Sequence, residues 1–350
     1  MSVSFQAGLL QLLIVTISVL FVVAVIFAGV VFLLHFRNER RATLLGGLER
    51  AWDPALLEVL AAPTAPDRFP VDVAPEHELH FVNFLARYAR RVRGAERETL
   101  MKLAAPLLPK VAQRLGDRSR ESRARAVQTL GSLGLPEYAP QLIAALDDPS
   151  YLVAMRAARG LARREHPQYA DAVLARLDRF QRWNPRFVAA MLAGMGPAAA
   201  PALRDSLANA SEPPRARAIA AAALTTLREL TAAPAAAAAL AQSDDPDLQQ
   251  AALVLLGMVG SGADVARVSS FADHPVPFVR AAALEALTRI GGPPELRQVE
   301  AALDDRSPWV ALTAGQALGE ARWLEILRRA AAGTGQAAVV AREVLAEVQA

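Results

Sequence analysis

The chain has 350 residues, 53% of them hydrophobic and only 6% aromatic, with a formal net charge of +3. It contains no cysteine, which excludes disulfides, thiolate metal sites and cysteine nucleophiles. The length would ordinarily imply about two domains, unless the chain is built from repeats that share no single core.

No Asp, Glu, Lys or Arg occurs from Met1 to Phe36, and Leu9 to Leu34 is almost continuously apolar. At about 1.5 Å per helical residue such a run exceeds a hydrocarbon core of roughly 30 Å, so a transmembrane helix is expected over 9–36. A cleaved signal peptide fits less well, because there is no basic n-region and the apolar run is too long. Ala24 and Ala28 form a small-xxx-small pair of the kind that supports helix association. Arg37, Arg40 and Arg41 come directly after the span and no Lys or Arg precedes it. The positive-inside rule then leaves 1–8 outside and the bulk of the chain in the cytoplasm, as a single-pass protein of a bacterial inner membrane.

Residues 37–75 are expected to form juxtamembrane helices and a proline-rich linker. Trp52-Asp53-Pro54 marks a break, and Pro63, Pro66, Pro70 and Pro75 punctuate a stretch without periodicity. From Glu76 to Arg93 the pattern becomes amphipathic, with Phe81, Leu85, Tyr88 and Val92 on one face. Together with Glu96 to Leu115 it predicts an atypical capping unit over 76–116, closing the first face of a repeat array.

The array itself occupies 117–350. Proline after an Asp-like residue recurs at Pro149, Pro185, Pro213, Pro246, Pro275 and Pro308, spaced by 36, 28, 33, 29 and 33 residues. Each opens a helix rich in small residues. His274 to Leu303 is the clearest copy, with two short helices joined by Gly-Gly-Pro-Pro. A diverged copy starts at Asp117 and a half-copy closes the chain from Gly335, so seven hairpins and a last helix are expected. The fold class is all-α, an α-solenoid of helical hairpins preceded by one transmembrane helix.

The stretch Pro277-Phe278-Val279-Arg280-Ala281-Ala282-Ala283-Leu284-Glu285-Ala286-Leu287 resembles the HEAT-repeat superfamily, in particular the short bacterial repeats first described in phycobilin lyases. The resemblance covers Asp117 to Ala350. It implies a scaffold or adaptor in most members and an enzyme in a few.

Motifs that carry chemistry are nearly absent, so the chain is not expected to be an enzyme and no cofactor is expected. His77 and His80 in EHELH miss the HExxH spacing and lack a third ligand, so no metal site is expected there. Gly257, Gly260 and Gly262 lack the Lys-Ser/Thr of a phosphate loop. The acidic pairs at Asp147-Asp148, Asp244-Asp245 and Asp304-Asp305 recur with the repeat and are expected to cap the next helix.

Charge is uneven. Between Arg87 and Arg125 there are twelve Lys or Arg against four acids; from Asp244 onward, fourteen acids against nine arginines. Arg87, Arg90, Arg91 and Arg93 are therefore candidate contacts for anionic lipid or a protein partner. Trp183, Trp309 and Trp323 are candidate partner contacts, since large aromatics dominate interface energetics. The expected function is a membrane-anchored cytoplasmic scaffold for protein partners, in an envelope or polysaccharide assembly. Two readings stay open beside it: a lyase-like enzyme, and nucleic-acid binding through the basic N-terminal repeats, against which the anchor argues.

Overall fold

The computed structural model describes residues 2–61, 69–162, 167–180 and 182–349; within the helices, the side chains at 2–19, 24, 34, 37, 38, 41, 42, 167, 168, 178 and 349 are outside that description. The described residues contain helices and turns and no strand. They form two compact units, Met1–Val111 and Ala112–Ala350.

The first unit begins with α1, a 60-residue helix over Ser2–Ala61. No break occurs at Trp52-Asp53-Pro54; the helix runs through Pro54. A proline inside a helix costs about 3 kcal/mol, and here tertiary contacts flank it. Trp52 is buried at ring-centroid distances of 5.1 Å from Phe81 and 5.5 Å from Phe84. The Tyr88 hydroxyl donates to Asp53 Oδ1 at 2.6 Å. All three partners are supplied by α2, Glu78–Tyr88. Leu56 and Val59 complete the buried face of α1, with Phe69 packed on Phe81. Next come α3 (Gly94–Ala104) and α4 (Leu108–Gln113), the unit boundary falling inside α4.

The expected helix over Glu76–Arg93 is shorter than its pattern: α2 stops at Tyr88, and Arg90, Arg91 and Arg93 lie on the turn to α3. Two features mark the turn that follows. Arg97 donates to the Ala89 carbonyl, and Gly94 takes a φ of 61°, which suits glycine.

The second unit repeats one hairpin. Its members are α5 (Arg120–Leu133) with α6 (Ala139–Ala144), α7 (Tyr151–Leu161) with α8 (Pro167–Leu174), and α9 (Pro185–Ala193) with α10 (Ala200–Ala208). They continue with α11 (Pro214–Leu227) and α12 (Ala233–Gln242), α13 (Pro246–Val259) and α14 (Val265–Ser269), α15 (Pro277–Ile290) and α16 (Pro293–Ala301), and α17 (Pro308–Glu320) and α18 (Leu324–Ala331). A last helix, α19 (Gln336–Gln349), packs on α17 and α18. That makes seven hairpins and a terminal helix among the described residues, as the proline spacing predicts. His166 lies outside the described residues.

Neither helix of a hairpin buries its stripe alone, so the first helices stack in a layer: α5 on α7, and α9 through α11, α13, α15 and α17 to α19. Leu253 and Leu256 of α13 and Leu284 and Leu287 of α15 are fully buried. At two crossings the backbones nearly touch. A Cβ built on Gly131 would stand 2.7 Å from the Gly160 Cα, and one on Gly257 2.8 Å from the Ala286 Cα. Gly257 is thus a crossing residue inside α13, and it is Gly260, not Gly257, that ends the helix.

Candidate interaction surfaces

Two side-chain systems organise the solenoid. In the first, an arginine four residues past a helix N-cap reaches the acid 25 residues later. Arg123 grips Asp148 with Nε at 2.7 Å and Nη2 at 2.9 Å, and Arg280 grips Asp305 at 2.9 and 2.7 Å. Each guanidinium also donates to the backbone before its own helix: Arg123 to Asp117 O at 3.0 Å, Arg280 to His274 O at 2.8 Å. Arg217 repeats the register with Gln242 as the acceptor at 2.8 Å.

The aspartates do a second job. Asp148 accepts from the Ser150 N–H at 2.7 Å and Asp305 from the Ser307 N–H at 2.8 Å, while Asp245 caps Leu248 N at 3.0 Å. The expected capping holds for Asp245 alone; Asp148 and Asp305 bond the N-cap residues Ser150 and Ser307 instead, and α7 and α17 have no side-chain cap. The arginine partners were missed. Their signal was present, as an Arg at a fixed 25-residue offset from an Asp or Gln. Burial alone would raise the Asp305 carboxyl, but hydrogen bonds from Arg280 and the Ser307 N–H outweigh it and hold the group below the ordinary carboxylate value. A cavity of about 400 Å³ opens beside this system, lined by Arg123, Gln141, Asp147 and Asp148. Its charged groups are already spent, Arg123 on Asp148 and Asp147 on Arg176 at 2.8 Å.

The candidate tryptophans separate. Trp183 precedes the N-cap Asn184 of α9, half-buried and stacked on Phe187 at 5.6 Å. Trp309 is the second residue of α17 and 51% exposed. Both stand at the starts of first-layer helices, but several hairpins apart. Trp323, 37% exposed, is the N-cap of α18, in the turn inside a hairpin. The three therefore do not form one patch.

In the first unit, Arg87 is not free for lipid: it pairs with Glu49 of α1 at 2.6 Å. Arg90, Arg91 and Arg93 are exposed. His77 is the N-cap of α2, as a helix-start role requires. His80 Nε2 lies 2.9 Å from Glu49 Oε1, and its pKa is lowered, chiefly by burial, with the charges of Arg87 and His77 adding to it against the pull of Glu49. Among the described residues no group of three or more His, Cys, Asp or Glu is placed to hold a metal ion.

Along α1, the described side chains from Leu20 to Phe36 are apolar apart from His35 and the glycine, and exposed on every side, Phe27 and Phe21 at 69% each. Phe32 stacks on Phe36, and the Arg40 guanidinium lies 4.3 Å over the Phe36 ring. The side chains of Arg37, Arg41 and Ala24, and those of the 9–19 part of the expected span, lie outside the described residues. Among the described residues no single helix is long and apolar enough to cross a membrane; Leu20–Leu33 is a shorter apolar stretch. One bent pair, Pro185–Ala193 with Pro197–Ala208, passes on length and composition only. Its apolar side chains, Val188, Leu192, Leu203 and Leu207 among them, are buried in the solenoid.

The second unit is an α-solenoid of stacked helical hairpins. Residues 108–194 and 233–319 match the family model for HEAT repeats, in support of the resemblance to the HEAT-repeat superfamily. No curated protein matches the chain. Among solved structures, the complex of CpcE and CpcF of phycocyanin lyase from a Nostoc species is 22% identical, covering 69% of this chain and 88% of that one with a TM-score of 0.35. Human deoxyhypusine hydroxylase is 20% identical over 80% of this chain and 99% of its own, with a TM-score of 0.31. Kap121p is 15% identical over 78% of this chain and 37% of its own, with a TM-score of 0.39.

Proposed function

We propose that the chain is a membrane-anchored scaffold. The first helix holds it in a bacterial inner membrane, and the repeat solenoid presents its surface to a protein partner on the cytoplasmic side. The observation that carries this reading is the run from Leu20 to Phe36, whose described large apolar side chains are exposed on every face. A helix apolar all round is stable only inside a core or in lipid. With the uncharged residues before it, the run is long enough for lipid. The aromatic pair Phe32 and Phe36 and the overlying Arg40 suit the boundary of such a span.

The scaffold part rests on the repeats and on what their polar groups are doing. The arginines bonded to aspartates, Arg123 to Asp148 and Arg280 to Asp305, are committed to joining one hairpin to the next, which is structural work. We therefore read the chain as a non-enzymatic adaptor. The test is extraction and topology together: alkaline washing of membranes should leave the chain in the pellet, and a reporter fused after Ala350 should behave as cytoplasmic. Release by the wash would remove the anchor, and activity of the fusion on the far side would reverse the orientation.

A further inference from the structure

Several arginines of the solenoid are bonded to aspartates of a neighbouring hairpin, but a cluster on α5 and α7 is not. Arg156 is half-buried on α7, with Arg159 one turn along the same helix and Arg125 on the adjacent α5. Among the described residues none of the three has a carboxylate partner, whereas Arg123, two residues from Arg125, is fully engaged with Asp148. Burial, reinforced by the charges of Arg125 and Arg159, lowers the pKa of Arg156. Three guanidinium groups held together in this way repel one another, and a fold gains nothing from that unless an anion joins them.

The surroundings are apolar as well as basic. Leu152, Arg156 and Arg159 fall at i, i+4 and i+7, one stripe of α7, and Leu152 is exposed at 39% with Tyr151 beside it. Arg159 lies 5.7 Å from the centroid of Phe187, which is stacked on Trp183, and Arg182 lies 5.2 Å over the ring of Tyr151. Planar arginines backed by aromatic rings suit bidentate capture of carboxylates.

We propose that this stripe is a binding site for a short acidic segment of a protein, its carboxylates on Arg125, Arg156 and Arg159 and its apolar side chains against Leu152 and Phe187. The proposal deepens the scaffold reading and rests on it, since it names the chemistry of the partner. Length decides against a long polyanion. Glu285 stands on α15 where Arg159 stands on α7, nine residues after the N-caps Val276 and Ser150, with Arg289 and, on α17, Glu320 as its charged neighbours. A nucleic acid or an anionic bilayer running along the helix layer would pass from arginines onto these carboxylates. A segment covering α5 to α9 would not.

The experiment uses the full chain in nanodiscs of zwitterionic lipid and, as the probe, a fluorescein-labelled dodecapeptide of Glu and Asp with one central Leu. The peptide should bind at low salt and weaken between about 50 and about 300 mM, as screening shortens the reach of the charges. Arg125, Arg156 and Arg159 changed together to Gln should weaken it roughly tenfold, at a few-fold for each exposed charge. The same loss of charge at Arg118, Arg297 and Arg342 should leave binding unchanged. Arg156→Gln alone should weaken binding while holding or raising the melting temperature, because it relieves a like-charge cluster; a structural arginine would lower both. Equal loss in the two triple variants, or no binding at low salt, overturns the proposal. So does preferential binding of a single-stranded oligonucleotide or of phosphatidylserine vesicles that the first triple abolishes. If the peptide fails while cross-linking in native membranes still captures a defined partner on the solenoid, the scaffold reading stands and this site is wrong; failure of both removes the scaffold.

Discussion

Replacing Arg280 by methionine tests whether the arginine–aspartate pairs join successive hairpins. The side chains of Arg280 and Asp305 are 3% and 12% exposed. Methionine keeps much of the arginine stem and removes two bonds to Asp305 along with those to the His274 and Pro275 carbonyls. What remains is a nearly buried carboxylate with one N–H partner, Ser307. Removing one member of a buried pair costs roughly 3–5 kcal/mol, because the other charge stays desolvated. The exposed pair of Arg329 with Glu300, 68% and 29% accessible, is the control, and Arg329→Met should cost less than about 1 kcal/mol. Repeat arrays open in sections rather than all at once, so hydrogen exchange in α15 and α17 is the appropriate readout. A loss of about 3 kcal/mol appears there as roughly a hundredfold faster exchange.

Acidity supplies a second signature. In the native chain the Asp305 carboxyl is held below its ordinary value, so its contribution is complete above the unfolded value of about 4 and is lost as pH falls through the lowered folded value. Without Arg280, burial would dominate and raise that carboxyl, so the variant sheds its penalty by taking a proton. The difference between native and variant should therefore be large near about pH 7 and shrink below about pH 4. Equal costs for Arg280→Met and Arg329→Met, or a difference that ignores pH, would refute the argument.

Packing and burial dictate three further outcomes. Gly160→Ala would place its Cβ 2.9 Å from the Gly131 Cα and should lower stability by about 1–3 kcal/mol, while Gly116→Ala, with nothing within 4 Å, should not; paired melting curves decide it. Burial chiefly, and the charge of Glu320 after it, raise the Glu285 carboxyl against the pull of Arg289. Its ionisation thus costs stability as pH rises from the unfolded value through the folded one, so Glu285→Gln should raise the melting temperature near about pH 7 and leave it unchanged near about pH 4. In the first unit, Tyr88→Phe removes the 2.6 Å bond to Asp53 and should loosen α1 from α2 by about 1 kcal/mol, read as faster exchange on the Trp52 side of Pro54.

The solenoid was legible in the sequence because prolines and small-residue helices recur with a period that only stacking explains. Helix starts are local chemistry: proline without an N–H, Asp and Asn oxygens beside free N–H groups. Pro54 shows where locality fails. Nothing near it in sequence reveals that Trp52 and Asp53 will be held by Phe81, Phe84 and Tyr88, and those contacts decide that the helix continues. The glycine crossings are equally hidden, since Gly131 looks like a helix end until Gly160 of the next hairpin meets it.

Candidate contacts were the least legible, and the arginines explain why. Counting charge along the chain singled out Arg87, yet Glu49, 38 positions away in number, already occupies it. The same count passed over Arg156 and Arg159, which lie beyond the basic segment from Arg87 to Arg125. Composition sums charges that the fold then pairs, and a repeat pairs them systematically, one hairpin to the next. A partner can use only the remainder after that pairing. On this solenoid that remainder includes a cluster on α5 and α7, where the stacking of two hairpins brings Arg125 and Arg156 together from positions 31 apart in the chain.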